Sequence, residues 1–184
     1  MKALIFISLF ISSLFSHYNV PSSVKRFIPN GYEVLNFTKG NLNRDGIDDA
    51  ILILKVINED NSMGDSPKRS LYILIGNGNG GYKLATKNSK CVLGVKDGGM
   101  IGDPFSAVAI KNGYFSIEHY GGSSWRWIKI TTFRYDSDRD NWFLHREGDE
   151  SYHSSNPRKI KRKMRTKRDF GIVPFTRYNI FRNF

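Results

Sequence analysis

Ala50–Ile57 (AILILKVI) and Leu71–Gly76 (LYILIG) are two short apolar runs, separated by a polar loop, Ser62–Arg69, that contains Gly64 and Pro67. Both are too short for an ordinary globular helix and are bounded by turn formers, so both read as buried strands. Asn77–Gly81 (NGNGG) then supplies a turn whose residues tolerate positive φ, and Tyr82–Ala85 begins a third strand. Downstream, Asp97–Pro104 (DGGMIGDP) is a Gly-rich connection. Ala107–Ile110 and Tyr114–His119 flank Lys111-Asn112-Gly113, a hairpin signal because Asn-Gly suits the primed turns. Ser124–Tyr135 (SWRWIKITTFRY) is a long strand that puts Trp125, Trp127, Lys129, Thr131 and Phe133 on one face. After the polar turn Asp136–Asn141, Trp142–Arg146 returns as its hairpin partner. Upstream, the segment between Pro21 and Pro29 has room for one short helical turn. At least seven closely spaced strands predict an all-β fold: an antiparallel sheet or sandwich, or partial propeller-like blades, with at most a short N-terminal helix.

The chain has 184 residues, enough for one domain, and a formal net charge of +11. The charge is not spread evenly. Arg158–Arg168 (RKIKRKMRTKR) holds eight basic residues and no acid, whereas residues 17–157 hold 17 basic and 16 acidic residues. The expected organisation is therefore a secretory signal at residues 1–16, a near-neutral β domain at 17–157, and a basic C-terminal strand or tail at 158–184 that begins where the core pattern has largely ended. Met1-Lys2 followed by ALIFISLFISSLF has the charge, apolar length and small polar end of a secretory signal. It is short for a membrane span, so no transmembrane segment is expected after cleavage, and the protein is expected to be secreted or periplasmic. Cys91 is the sole cysteine, which excludes an intramolecular disulfide and a Cys-based zinc cluster. Its apolar setting, KCVLGV, reads as a buried structural thiol.

Gly40–Asp49 (GNLNRDGIDD) places oxygen-bearing side chains at Asn41, Asn43, Asp45 and Asp49, with Gly46 where the chain must turn and the Ile47 carbonyl available to fill a gap. A hard cation such as Ca²⁺ takes six to eight oxygens from such a compact loop. The competing reading is a hydrogen-bonded Asx turn without metal. The loop resembles the calcium loop of FG-GAP and VCBS-type repeats, the blades of integrin α-chain propellers. Leu71–Tyr82 (LYILIGNGNGGY) is similar to the second half of that repeat, so the likeness covers about Phe37 to Leu84. It implies a weak structural Ca²⁺ held by Asn41, Asn43, Asp45, Ile47 and Asp49. Asn41 stands where the family has its first Asp, which lowers the charge of the site. A single copy is present, too few for a canonical propeller. Residues Cys91 to Tyr152 also resemble a group of secreted bacterial proteins with a Gly-Asp-Pro-Phe segment and a His-Tyr-Gly-Gly…Trp hairpin, a likeness that brings no function with it.

His119, Trp125, Arg126 and Trp127 form a candidate ligand surface, with Trp faces for stacking and Arg126 for an anion; cross-strand core packing is the other reading. His119, Asp97, Asp103 and Glu118 are the candidates for catalysis, but no nucleophile elbow or HExxH helix accompanies them, so no catalytic residue is assigned. The basic strip alternates Lys159, Lys161, Lys163, Arg165 and Lys167 with Ile160 and Met164. That spacing suits an edge strand with one basic face, and a short basic helix competes with it. Such a strip would grip an acidic protein partner or an anionic envelope surface. A secretory signal and the lack of interleaved aromatics argue against nucleic acid. The resulting expectation is a non-catalytic, calcium-stabilised β-module for protein or cell-envelope interaction. The alternatives are an envelope polysaccharide hydrolase and an inhibitor or immunity protein against a secreted toxin.

Overall fold

The computed structural model describes residues 20–182; the expected signal at residues 1–16 lies outside the described residues. Nine strands follow in chain order: β1 (Tyr32–Gly40), β2 (Asp49–Val56), β3 (Ser70–Gly76), β4 (Tyr82–Asn88), β5 (Phe105–Lys111), β6 (Tyr114–Gly122), β7 (Trp125–Asp136), β8 (Asn141–His153) and β9 (Asn156–Thr166). Two four-residue helices, α1 (Ser22–Lys25) and α2 (Lys167–Phe170), flank them. Strands β1–β4 form one antiparallel meander and β5–β9 a second. The all-β expectation holds, and α1 is the short turn expected between Pro21 and Pro29.

The continuous apolar run of β2 exists because both of its faces are covered. Ile51 and Ile53 point toward the second sheet and share a core with Phe115, Ile117, Phe133, Trp142 and Leu144. Ala50, Leu52 and Leu54 point the other way, onto Val20 and Val24 of the N-terminal segment. Alternation across a strand sends successive residues to opposite faces, so a strand between two layers must be apolar at every position. Strand β1 escaped the sequence reading. It carries one extra residue, Leu35, between the pairs Val34↔Leu54 and Asn36↔Ile53, and this bulge breaks the period of two.

The basic strip is a strand. Lys161 to Thr166 pair with Ser151 back to Arg146 of β8, which makes β9 the edge of the five-stranded sheet and rules out the short-helix reading. The expectation that the core pattern ends before the strip is corrected by the residues beyond β9. Val173, Phe175, Tyr178 and Ile180 return into the inter-sheet core, so the segment after β9 is built into the same core as the earlier strands, while β9 itself stays exposed. The Leu144 N–H donates to the Val173 carbonyl at 2.9 Å, and the Ile180 N–H to the Lys90 carbonyl at 2.8 Å. The fully buried Tyr178 hydroxyl donates to Glu147 Oε1 at 2.6 Å and lies 3.2 Å from Thr131 Oγ1. This segment has no period in sequence because it is not a strand; it crosses the end of the core as a cover.

Truncation after Gly171 is therefore expected to leave a chain without a cooperative unfolding transition by circular dichroism. Tyr178→Phe, which strips a donor from the buried Glu147 carboxylate, is expected to cost about 1.5–3 kcal/mol in urea unfolding.

Candidate functional site

The loop that carries the family resemblance is closed by its own hydrogen bonds. Asn41 Oδ1 accepts from the Arg44 N–H at 2.6 Å, Asn43 Oδ1 from the Asp45 N–H at 3.1 Å, and Asp45 Oδ1 from the Ile47 N–H at 2.8 Å. Asn43 Nδ2 donates to Asp45 Oδ2 at 2.8 Å. Asp49 is fully buried: its Oδ2 accepts from the Leu42 and Asn43 N–H groups and its Oδ1 from the Gly76 N–H at 3.0 Å. Burial pushes the Asp49 carboxyl above its usual range even though these three backbone donors pull it down. Gly76 is required where it stands, because a Cβ there would lie 2.3 Å from the Asp48 carbonyl. The two halves of the resemblance, loop and glycine turn, thus meet at Asp49 and Gly76. The Asn41, Asn43 and Asp45 oxygens that the resemblance would give to an ion each accept a backbone N–H of the loop here, which is the Asx-turn arrangement. Asp49 serves as the anchor of the loop.

A second buried polar centre involves residues that the sequence offered as catalytic. The Arg69 guanidinium is fully buried. Its Nε donates to Glu59 Oε1 at 3.0 Å, and its Nη2 to the same oxygen. Its other bonds run to Asp103 at 2.7 and 2.6 Å and to the Leu93 carbonyl at 3.0 Å. No sequence signal marked Arg69, which closes a polar loop. Beside it His119, also fully buried, accepts the Leu93 N–H at Nε2 over 3.2 Å, and its Nδ1 has no hydrogen-bond partner among the described residues. Burial, reinforced by the positive Arg69, lowers the His119 pKa to about 3, so the ring is neutral at ordinary pH. Asp97 accepts the Gly94 N–H at 2.6 Å. Glu118, the neighbour of His119 on β6, faces the opposite side of the sheet, where burial raises its carboxyl pKa. Asp97, Asp103 and His119 hold loops in place, Glu118 lies on the opposite face, and the four do not converge on one cleft. Cys91 is buried as expected, and burial drives its thiol pKa up.

The proposed ligand surface is divided as well. Trp127 faces the same side as His119, with its ring across Gly121, where a Cβ would come within 2.3 Å of the indole. Arg126 points to the other face, toward Tyr152, whose hydroxyl feels its charge. Trp125 is 53% exposed, stacked edge-on with His153 at 5.2 Å and capped by Lys161 Nζ at 5.5 Å from its ring.

A face that the sequence reading did not assemble emerges from the register of β7, β8 and β9. An extra residue, His145, lies between the pairs Thr132↔Arg146 and Phe133↔Leu144. Beyond this bulge the odd residues of β8 turn inward, so Glu147, Asp149 and Ser151 align with Thr131, Lys129 and Trp127 of β7 and with Arg165, Lys163 and Lys161 of β9. The basic side of the strip thus lies on the core side of the sheet, past the point where the first sheet covers it. Lys129 pairs with Asp149 at 2.8 Å, and Arg165 with Asp149 at 2.5 Å. A groove of about 380 Å³ remains, lined by Trp127, Lys129, Lys161 and Lys163, with Asp149 and Glu150 also in its wall.

Compared with family models, curated proteins and solved structures, the chain matches none.

The neutral His119 carries a pH prediction. Its folded pKa lies below the usual 6.5, so the unfolded chain takes up the proton first. Its contribution to stability is complete above about pH 6.5 and falls by about 1.4 kcal/mol per pH unit as the pH drops toward 3. His119→Phe is expected to flatten the loss of stability between about pH 7 and 5, read by urea unfolding at each pH.

Proposed function

We propose that this protein is a non-catalytic binding module acting outside the cytoplasm, and that the open inner face of β7–β9, with the edge of β9 that pairs with no strand among the described residues, is its contact surface for an acidic, extended protein segment. The observation that carries the reading is that the basic strip is an edge strand in fixed register, with Lys161 and Lys163 in a groove beside Trp127 and Lys129. Edge strands offer unpaired backbone groups to an added strand, and alternate side chains then meet both faces. Basic residues lie on both sides here, Lys161 and Lys163 inward and Arg162 outward, where Arg162 pairs with Glu150 at 2.8 Å. A flat anionic surface would engage one side only. An added acidic strand would engage both, and an inhibitor gripping an acidic toxin surface is one form of this reading. The apolar run at residues 3–15 supports a place in the cell envelope or outside it. Among the described residues no helix is long and apolar enough to cross a membrane.

Calcium enters the proposal as a support for the loop. A bound ion would offset the Asp45 charge and pin the turn between β1 and β2, with Asn41, Asn43, Asp45 and the Ile47 carbonyl as its holders. Extracellular modules bind it at about 10⁻⁴–10⁻³ M. Millimolar calcium is expected to raise the melting temperature of the native chain, and Asp45→Ala to remove that rise. An unchanged melting temperature in calcium would refute this part.

For the contact surface, Lys161→Glu combined with Lys163→Glu is expected to abolish binding of an oligoglutamate peptide in isothermal titration. In the native protein that binding should weaken steadily as salt rises. Binding that ignores both charge reversal and salt would remove the proposal.

A further inference from the structure

A second concentration of positive charge lies away from the inner face. A cavity of about 580 Å³ opens where the end of β4 meets the C-terminal segment. Lys87, Lys90, Arg177 and Arg182 line it together with hydroxyl groups, among them Ser89 and Thr176, and among the described residues no carboxylate contributes to the wall. Among the described residues none of the four cations belongs to an ion pair. The adjoining depression adds Lys68, with Asp97 across it, and the Asp97 carboxylate is engaged by the Gly94 N–H.

The frame behind these side chains is fixed. Asn88 is only 6% exposed; its Nδ2 donates to the Phe175 and Tyr178 carbonyls and its Oδ1 accepts the Lys90 N–H at 2.6 Å. The Ile180 N–H donates to the Lys90 carbonyl at 2.8 Å. These bonds hold the backbone that carries Lys90 and Arg177, and Lys87 Nζ rests 5.6 Å from the Tyr72 ring centroid. Like charges gathered on such a frame repel one another until an anion arrives. A buried amide that joins two cation-bearing segments goes beyond what a solvated charged surface requires.

We propose that this cavity binds a phosphate-bearing ligand. Two guanidinium forks and two ammonium groups exceed what a single carboxylate can neutralise and match the several oxygens of a phosphoryl or diphosphoryl group, with hydroxyls on hand for a polar body attached to it. The volume lies within the usual 300–1,000 Å³ of small-molecule sites. The inference stands independently of the inner-face reading, since it shares no residue with that groove.

The same phosphate chemistry is offered by a soluble phosphorylated compound and by a lipid headgroup, so the test has two arms. The full chain is titrated with inorganic pyrophosphate by calorimetry, and with phosphatidylcholine vesicles with and without phosphatidic acid by sedimentation. Native protein is expected to bind pyrophosphate, and Lys90→Gln with Arg177→Gln to weaken it by about tenfold or more. Lys161→Gln with Lys163→Gln should bind as the native chain does. Without ligand, the Lys90→Gln, Arg177→Gln variant should melt no lower than native, because it relieves repulsion, and this separates loss of the site from loss of the fold. Vesicle binding that depends on phosphatidic acid and is lost in the same variant assigns a lipid phosphate; pyrophosphate binding alone assigns a soluble one. No pyrophosphate binding by the native chain, or equal binding by the Lys90→Gln, Arg177→Gln variant, overturns the proposal.

Discussion

The four-stranded sheet is too small to cover the five-stranded one. Strands β1–β4 run seven to nine residues, whereas β7, β8 and β9 run twelve, thirteen and eleven. One face of the larger sheet must therefore change character along its length. Over the first sheet it is apolar, with Phe115 and Phe133 stacked at 4.9 Å between their ring centroids. Past that cover it is charged, with Lys129, Asp149 and Arg165 in one ladder. The His145 bulge moves β8 from one regime to the other without turning its side chains to the wrong face.

Where the two regimes meet, water has to be kept out of the apolar half, and buried polar groups do this in matched sets. Tyr178, Glu147 and Thr131 close one side; Arg69 with Glu59, Asp103 and the Leu93 carbonyl closes another. A buried charge is tolerable only when its partners satisfy it, and Arg69 uses all three of its nitrogens on acceptors. Residues read as catalytic from their chemistry alone, His119 and Asp103, take part in this seal. His119 is fully buried there, and the half-exposed Asp103 is tied to Arg69.

Strands β2 and β3 were legible as short apolar runs bounded by turn formers, and β7 by its alternation. Strand β1 was not, since Leu35 breaks its period. Val173–Ile180 was not, because a covering segment has no period and Pro174 reads as a terminator. The strip Arg158–Arg168 showed its two faces in sequence, yet which face looks inward depends on register with β8, set by the bulge at His145 and by the residues Pro157–Ile160, four against the single Tyr152 of β8. The loop oxygens at Asn41, Asn43, Asp45 and Asp49 were found from spacing, but that Asp49 is taken up by backbone donors of its own loop and of β3 is a tertiary fact. By charge counting alone the body of the chain is balanced. Lys87 and Lys90 nevertheless face Arg177 and Arg182 around one cavity, because a sum over sequence is blind to how folding sorts charges.

The central claim, that β9 is a registered edge strand open to an acidic partner, is tested most directly by amide hydrogen exchange over residues 156–166, with and without an acidic peptide. Every second amide of Lys161–Thr166, those facing β8, should exchange as slowly as the core of β7. The edge-facing amides should exchange fast in the free protein and slow down when the peptide is added. Fast exchange throughout the strip in the free protein, or edge-facing amides indifferent to the peptide, would contradict that claim.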